Sequence, residues 1–137
     1  MRFVIPFLIL FACVAATQGA GFVSKDLVGE WKGKARDGTE IRYTFKEDGK
    51  VIWQVEETGF RSMAPDGLEG VYVVEIGKPR WKLDISNFKH PAFSEFKFEG
   101  ILQMFSKKRM KMDGRPSPAG ERPKRFTEEA IVFQRVE

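Results

Sequence analysis

The chain is nearly devoid of cysteine. Its one cysteine, Cys13, lies close to the N-terminus of a sequence of 137 residues. Past that point there can be no disulfide, no thiol nucleophile and no cysteine-based metal site. Histidine is as scarce. His90 stands alone before Pro91, and a zinc site typically takes about three or four protein ligands. No nucleophile elbow or triad surrounds His90, so it reads as a surface histidine. Long apolar runs are missing after residue 16, and no later segment could cross a bilayer as a helix. Convincing helical periodicity, internal repeats and low-complexity tracts are missing too. Nor does one charge dominate: 23 Lys and Arg against 19 Asp and Glu leave a net +4. So small an excess does not call for nucleic acid. No cofactor is expected.

What is present begins with "MRFVIPFLILFACVAATQGAGF". Arg2 gives a short positive start, Phe3 to Ala16 an uncharged apolar run, and Ala15, Ala16, Gly19 and Ala20 a small-residue exit. This is the layout of a secretory signal peptide. We expect residues 1–20 to be the signal peptide and residues 21–137 the mature domain, secreted or periplasmic. The minority alternative is a lipoprotein anchored through Cys13. Phe11 is bulky where a lipobox has a small residue, and apolar residues continue past Cys13.

The remainder is one domain in length, and alternation of period two runs through it. In "EIRYTF", Ile41, Tyr43 and Phe45 point one way and Arg42 and Thr44 the other. "EDGK" carries an Asp-Gly hairpin signal, after which Val51, Trp53 and Val55 resume the apolar face. Thr58–Gly67 reads as a loop. "LEGVYVVEI" aligns Leu68, Gly70, Tyr72, Val74 and Ile76. "WKLDIS" aligns Trp81, Leu83 and Ile85. "SEFKFEGILQMF" aligns Phe96, Phe98, Gly100 and Leu102. "KRMKM" sets Met110 and Met112 together, and the last strand sets Ile131 with Phe133. A short helical turn is expected around Val23–Val28. The sequence therefore predicts an all-β fold of eight antiparallel strands. Closure into an up-and-down barrel removes the exposed edges of such a sheet. A barrel of about eight strands has a lumen that side chains can fill or that can hold one small ligand.

The stretch "DLVGEWKG" opens the folded part. Its Gly29 and Trp31 resemble the Gly-x-Trp signature of lipocalin-like barrels. That resemblance implies an indole plugging the closed end, covered by a late arginine through a cation–π contact. Arg135 is placed for that role on the last strand. Over nearly the whole mature chain the sequence is similar to an exported lipocalin-like domain family of unknown function abundant in planctomycete bacteria. The elements that carry the likeness are "LVGEWKGKARDG", "GVYVVEIGKPRWKLDIS", "FEGILQM" and "GERPKRF". "FSKKRMKM" departs from the family's acidic, turn-like break. The resemblance implies a lipocalin-like (calycin-type) barrel and export, and no established activity.

The inward set is large, and Tyr43, Trp53, Tyr72, Trp81, Phe96, Phe98 and Met110 are the candidate ligand-lining residues. So many aromatics can also mean a filled interior. Gly29, Trp31, Arg122 and Arg135 are structural candidates, Arg122 either bracing a loop through backbone carbonyls or competing for the Trp31 ring. Glu56, Glu57, Asp84, Glu95 and Glu99 alternate with apolar residues and read as solvent-facing. Lys107–Arg125 holds eight Lys and Arg against two Asp and Glu. It reads as a solvated face and loop, with an anionic partner as the alternative. The expected function is a non-enzymatic carrier or binding module for an apolar small molecule. The alternative is a rigid filled barrel that contacts another envelope protein or an anionic polysaccharide.

Overall fold

The structure, a computed structural model, describes residues 21–118 and 121–137. The expected signal peptide and Cys13 lie outside the described residues. Eight strands follow in order: β1 (Gly29–Lys34), β2 (Glu40–Phe45), β3 (Lys50–Val55), β4 (Leu68–Glu75), β5 (Trp81–Ser86), β6 (Phe98–Ser106), β7 (Arg109–Asp113) and β8 (Ile131–Arg135). Each pairs antiparallel with its neighbours in sequence. β8 returns to β1 through Trp31↔Arg135, Lys32↔Gln134 and Gly33↔Phe133, which closes the barrel. This is an eight-stranded up-and-down barrel of lipocalin-like form. The strand-by-strand logic is the alternation. In β5, Trp81, Leu83 and Ile85 are buried while Lys82, Asp84 and Ser86 face outward. Each large apolar side chain so buried contributes roughly 1.5–3 kcal/mol. Among the described residues no helix is long and apolar enough to cross a membrane.

One end of the barrel is closed. The 3-10 turn Ser24–Leu27 crosses it, and Leu27 is fully buried. Trp31 has no solvent exposure, and its indole N–H donates to the Leu27 carbonyl at 2.8 Å. The Arg135 guanidinium stacks over the indole, 4.3 Å from the ring centroid. It also donates to the carbonyls of Lys107 (2.7 Å), Val28 (2.6 Å) and Asp26. A rigid fork of donors over a π face satisfies a half-buried cation without a carboxylate. Gly29 is required here twice over. Its φ of 133° is a conformation that favours glycine, and a Cβ would collide with the Arg135 Nη1.

Three expectations change. Thr58–Met63, read as loop, is a short helix, α1. Its six residues are too few to show a period. It forms because Phe60 finds Trp53 to pack on, with ring centroids 4.9 Å apart. β6 starts at Phe98, so Phe96 lies in the connection before it, stacked edge-on against Phe93 at 4.7 Å. Pro91 opens a 3-10 turn (Pro91–Phe93) that delays the strand. Ile76, aligned with the β4 inward face, lies past the strand's end and is 48% exposed.

Candidate functional site

The open end is built from the C-terminal ends of β1, β3, β5 and β7, the N-terminal ends of β2, β4, β6 and β8, and the loops joining them. Two halves differ. On one side Trp53 packs against Phe60, Phe88 and Phe93, with α1 and the Pro91–Phe93 turn supplying two of those rings. On the other side lies a cavity of about 390 Å³. Its inner wall is Ile41, Tyr43, Trp53, Met112, Ile131 and Phe133, and its rim includes Arg36, Arg115, Glu121 and Glu129.

The rim is held by the segment between β7 and β8. Asp113, 3% exposed, ends β7 and accepts hydrogen bonds from the Thr127 backbone N–H at 2.6 Å and its hydroxyl at 2.8 Å. The segment then lies along the outside of β5, β6 and β7. Arg122 donates to the Gly100 carbonyl at 2.8 Å and to Asp84 Oδ1 at 2.7 Å. Phe126 lies between Arg80 and Lys111, 5.8 and 5.0 Å from its ring. Arg36 from the β1–β2 loop reaches Glu128 at 2.8 Å and Glu129 at 3.4 Å at the rim beside the β1–β8 seam. These side chains are exposed, so that latch contributes little.

Tyr43 is almost fully buried, and burial alone pushes its phenol well above its ordinary range. It is a neutral hydroxyl at physiological pH, set among the rings of Phe45, Phe98 and Phe133 at 5.9, 6.1 and 5.6 Å.

Of the seven candidate lining residues, the structure brings Tyr43 and Trp53 to the cavity. The other five lie elsewhere. Trp81, Phe98 and Met110 point inward but are packed into the solid part of the lumen. Tyr72 sits at the closed end, where its hydroxyl donates to the Lys46 carbonyl at 2.7 Å. Its phenol is pushed up by partial burial and by Asp48 and Glu47. Phe96 is outside the strand altogether. A period-two pattern tells inside from outside but not the height along the barrel axis, and height decides what meets the cavity. Ile41, Met112, Ile131 and Phe133 carried the inward signal without being singled out. Arg36, Asp113 and Thr127 had no such signal, because loop contacts leave no period. Arg122 braces the outer segment and does not touch the Trp31 ring. His90 uses Nδ1 to accept the Ala92 N–H at 3.0 Å, capping the Pro91–Phe93 turn.

No family model matches the chain, and no curated protein does. Among solved structures it is similar to the pallilysin of Treponema pallidum, with a TM-score of 0.57 and 11% identity over 94% of this chain and 97% of that one. At that identity the likeness is one of fold.

Proposed function

We propose that the protein is a non-enzymatic binding or carrier module for an apolar small molecule, held at the open end of the barrel. The observation that carries this reading is the cavity of about 390 Å³ beside Tyr43 and Trp53. Ligand sites commonly measure about 300–1,000 Å³, with apolar walls and a few polar groups. The closed end supports the same reading, since Trp31 and Arg135 leave one entrance. Two of the carboxylates that line the cavity are engaged, Asp113 with Thr127 and Glu129 with Arg36, and Glu121 stands on the rim. That favours binding over acid–base chemistry. The reading also takes the chain as exported and as a member of the planctomycete lipocalin-like family it resembles.

Titration with phenylnaphthylamine, an apolar fluorophore, tests it. Saturable enhancement at one site per chain is expected, and it should be lost in Ile131→Trp, which fills the cavity. A wild-type protein that gives no saturable signal, and shows no small molecule in native mass spectrometry, overturns the reading. The second reading, a module that contacts an anionic polysaccharide or another envelope protein, draws on Lys107 and Lys108. Their side chains are 78% and 72% exposed on the β6–β7 hairpin.

A further inference from the structure

The chemistry of the cavity wall narrows what could occupy it. The six side chains of its inner wall are apolar except for two groups, the Trp53 indole N–H and the Tyr43 hydroxyl. The Trp53 Nε1 is buried with no acceptor among the described residues. It has almost no accessible surface, and its ring stands edge-on to Phe60 and Phe93 at 4.9 and 5.9 Å. A weak N–H···π contact suits that setting better than a ligand does. Tyr43 is the opposite case. It is 3% exposed, it lines the cavity, and its hydroxyl has no hydrogen-bond partner among the described residues. Unlike the Trp53 Nε1, its oxygen is not sealed off from the cavity, and an incoming oxygen would supply its partner.

Charge sets the second limit. The cations at the mouth are Arg36 and Arg115, and Arg36 is already shared between Glu128 and Glu129. The buried Asp113 carboxylate also lies on the wall. An anion pushed down to Tyr43 would lose its water and meet a carboxylate, with the cations Arg36 and Arg115 left up at the rim. A neutral group meets none of these costs.

We propose that the Tyr43 hydroxyl anchors the ligand. The ligand is an uncharged, largely apolar molecule with one hydrogen-bonding oxygen, of the class of a medium-chain alcohol or ketone, and it enters oxygen first. The inference rests on the binding reading above and specifies the ligand for that site.

A cycle of two ligands and two proteins tests it. Decanol and decane are each titrated against wild type and Tyr43→Phe by displacement of phenylnaphthylamine, with decanoate as a charged comparator. Tyr43→Phe should weaken decanol about two- to tenfold, the size of one net hydrogen bond. It should leave decane unchanged or slightly tighter, because the variant removes a hydroxyl that decane cannot satisfy. Decanoate should bind wild type more weakly than decanol. If Tyr43→Phe weakens decanol and decane equally, or neither, the anchor is overturned while binding stands. If decanoate binds best, the neutral ligand class is overturned. If no probe binds wild type, the binding reading itself falls. Should the variant misfold, the tyrosine difference spectrum of wild type decides. Decanol should shift it and decane should not; identical spectra overturn the anchor.

Discussion

The Trp31 indole does three jobs with one side chain. It fills the base of the lumen, donates to the Leu27 carbonyl, and offers its face to Arg135. Trp31→Ala should therefore cost about 3–5 kcal/mol in urea unfolding. A loss below about 1 kcal/mol would place the ring outside the core. Arg135→Lys keeps the charge but loses the planar fork that reaches three carbonyls. It should destabilise by more than an exposed substitution does, beyond about 0.5 kcal/mol. Tyr43 gives a pH signature. Its folded phenol is raised above the ordinary value of 10.0 by burial. The folded state thus keeps its proton while the unfolded chain releases one as pH climbs past 10. The stabilisation from the neutral phenol is full below that pH and is lost on going up, with a slope approaching about 1.4 kcal/mol per unit. Urea midpoints at neutral and strongly alkaline pH should show this fall. Tyr43→Phe should remove most of it, with Tyr72, also raised, accounting for the rest. A slope unchanged in the variant would show that Tyr43 is not its source.

At the scale of elements, the segment between β7 and β8 is the part with the least support from its own sequence. Among its described residues it forms no strand or helix, only a bridge from Ser117 to Lys97, and Asp113, Arg122 and Phe126 hold it through long-range contacts. Thr127→Val removes the hydroxyl that bonds Asp113 at 2.8 Å. We expect a cost of about 1–3 kcal/mol and faster proteolysis between Gly114 and Phe126, read by mass spectrometry of the fragments. Cleavage at the wild-type rate would show that the clasp does not hold the segment. The β6–β7 hairpin should behave otherwise. Lys107→Glu and Lys108→Glu sit on side chains open to water, and each should change stability by less than about 0.5 kcal/mol. The same contrast explains which elements could be read in advance. β2, β3 and β5 alternate cleanly, so their inward residues Tyr43, Trp53 and Trp81 were legible. α1 was not, because Phe60 adopts its place only once Trp53 is there to meet it. Nor was the true start of β6, since Phe96 and Phe98 fit the same period and only the preceding turn separates them.

For the whole molecule, closure is the defining contact. β8 pairs with β1 on one side and β7 on the other. A chain ended after Val132 would lose Phe133 and Arg135, hence the seam and the cover over Trp31. Such a chain should lose its cooperative thermal transition, and a sharp transition in it would show that the seam is dispensable. The amino-acid sequence by itself determined the number of strands and most of the side chains that face inward, with Phe96 and Ile76 the exceptions. The likeness of its first strand to the Gly-x-Trp signature implied the pairing of an early indole with a late arginine. The strand count and the facing of side chains follow from alternation, and the cost of burying an unpaired cation agrees with the pairing the likeness implied. Only the tertiary structure decided how high each inward residue sits, which half of the open end is filled by aromatic rings, and that Tyr43 borders a space. The reason is physical. A strand's period records direction, whereas a cavity is the volume left over when many strands and loops have packed, and no local stretch encodes it.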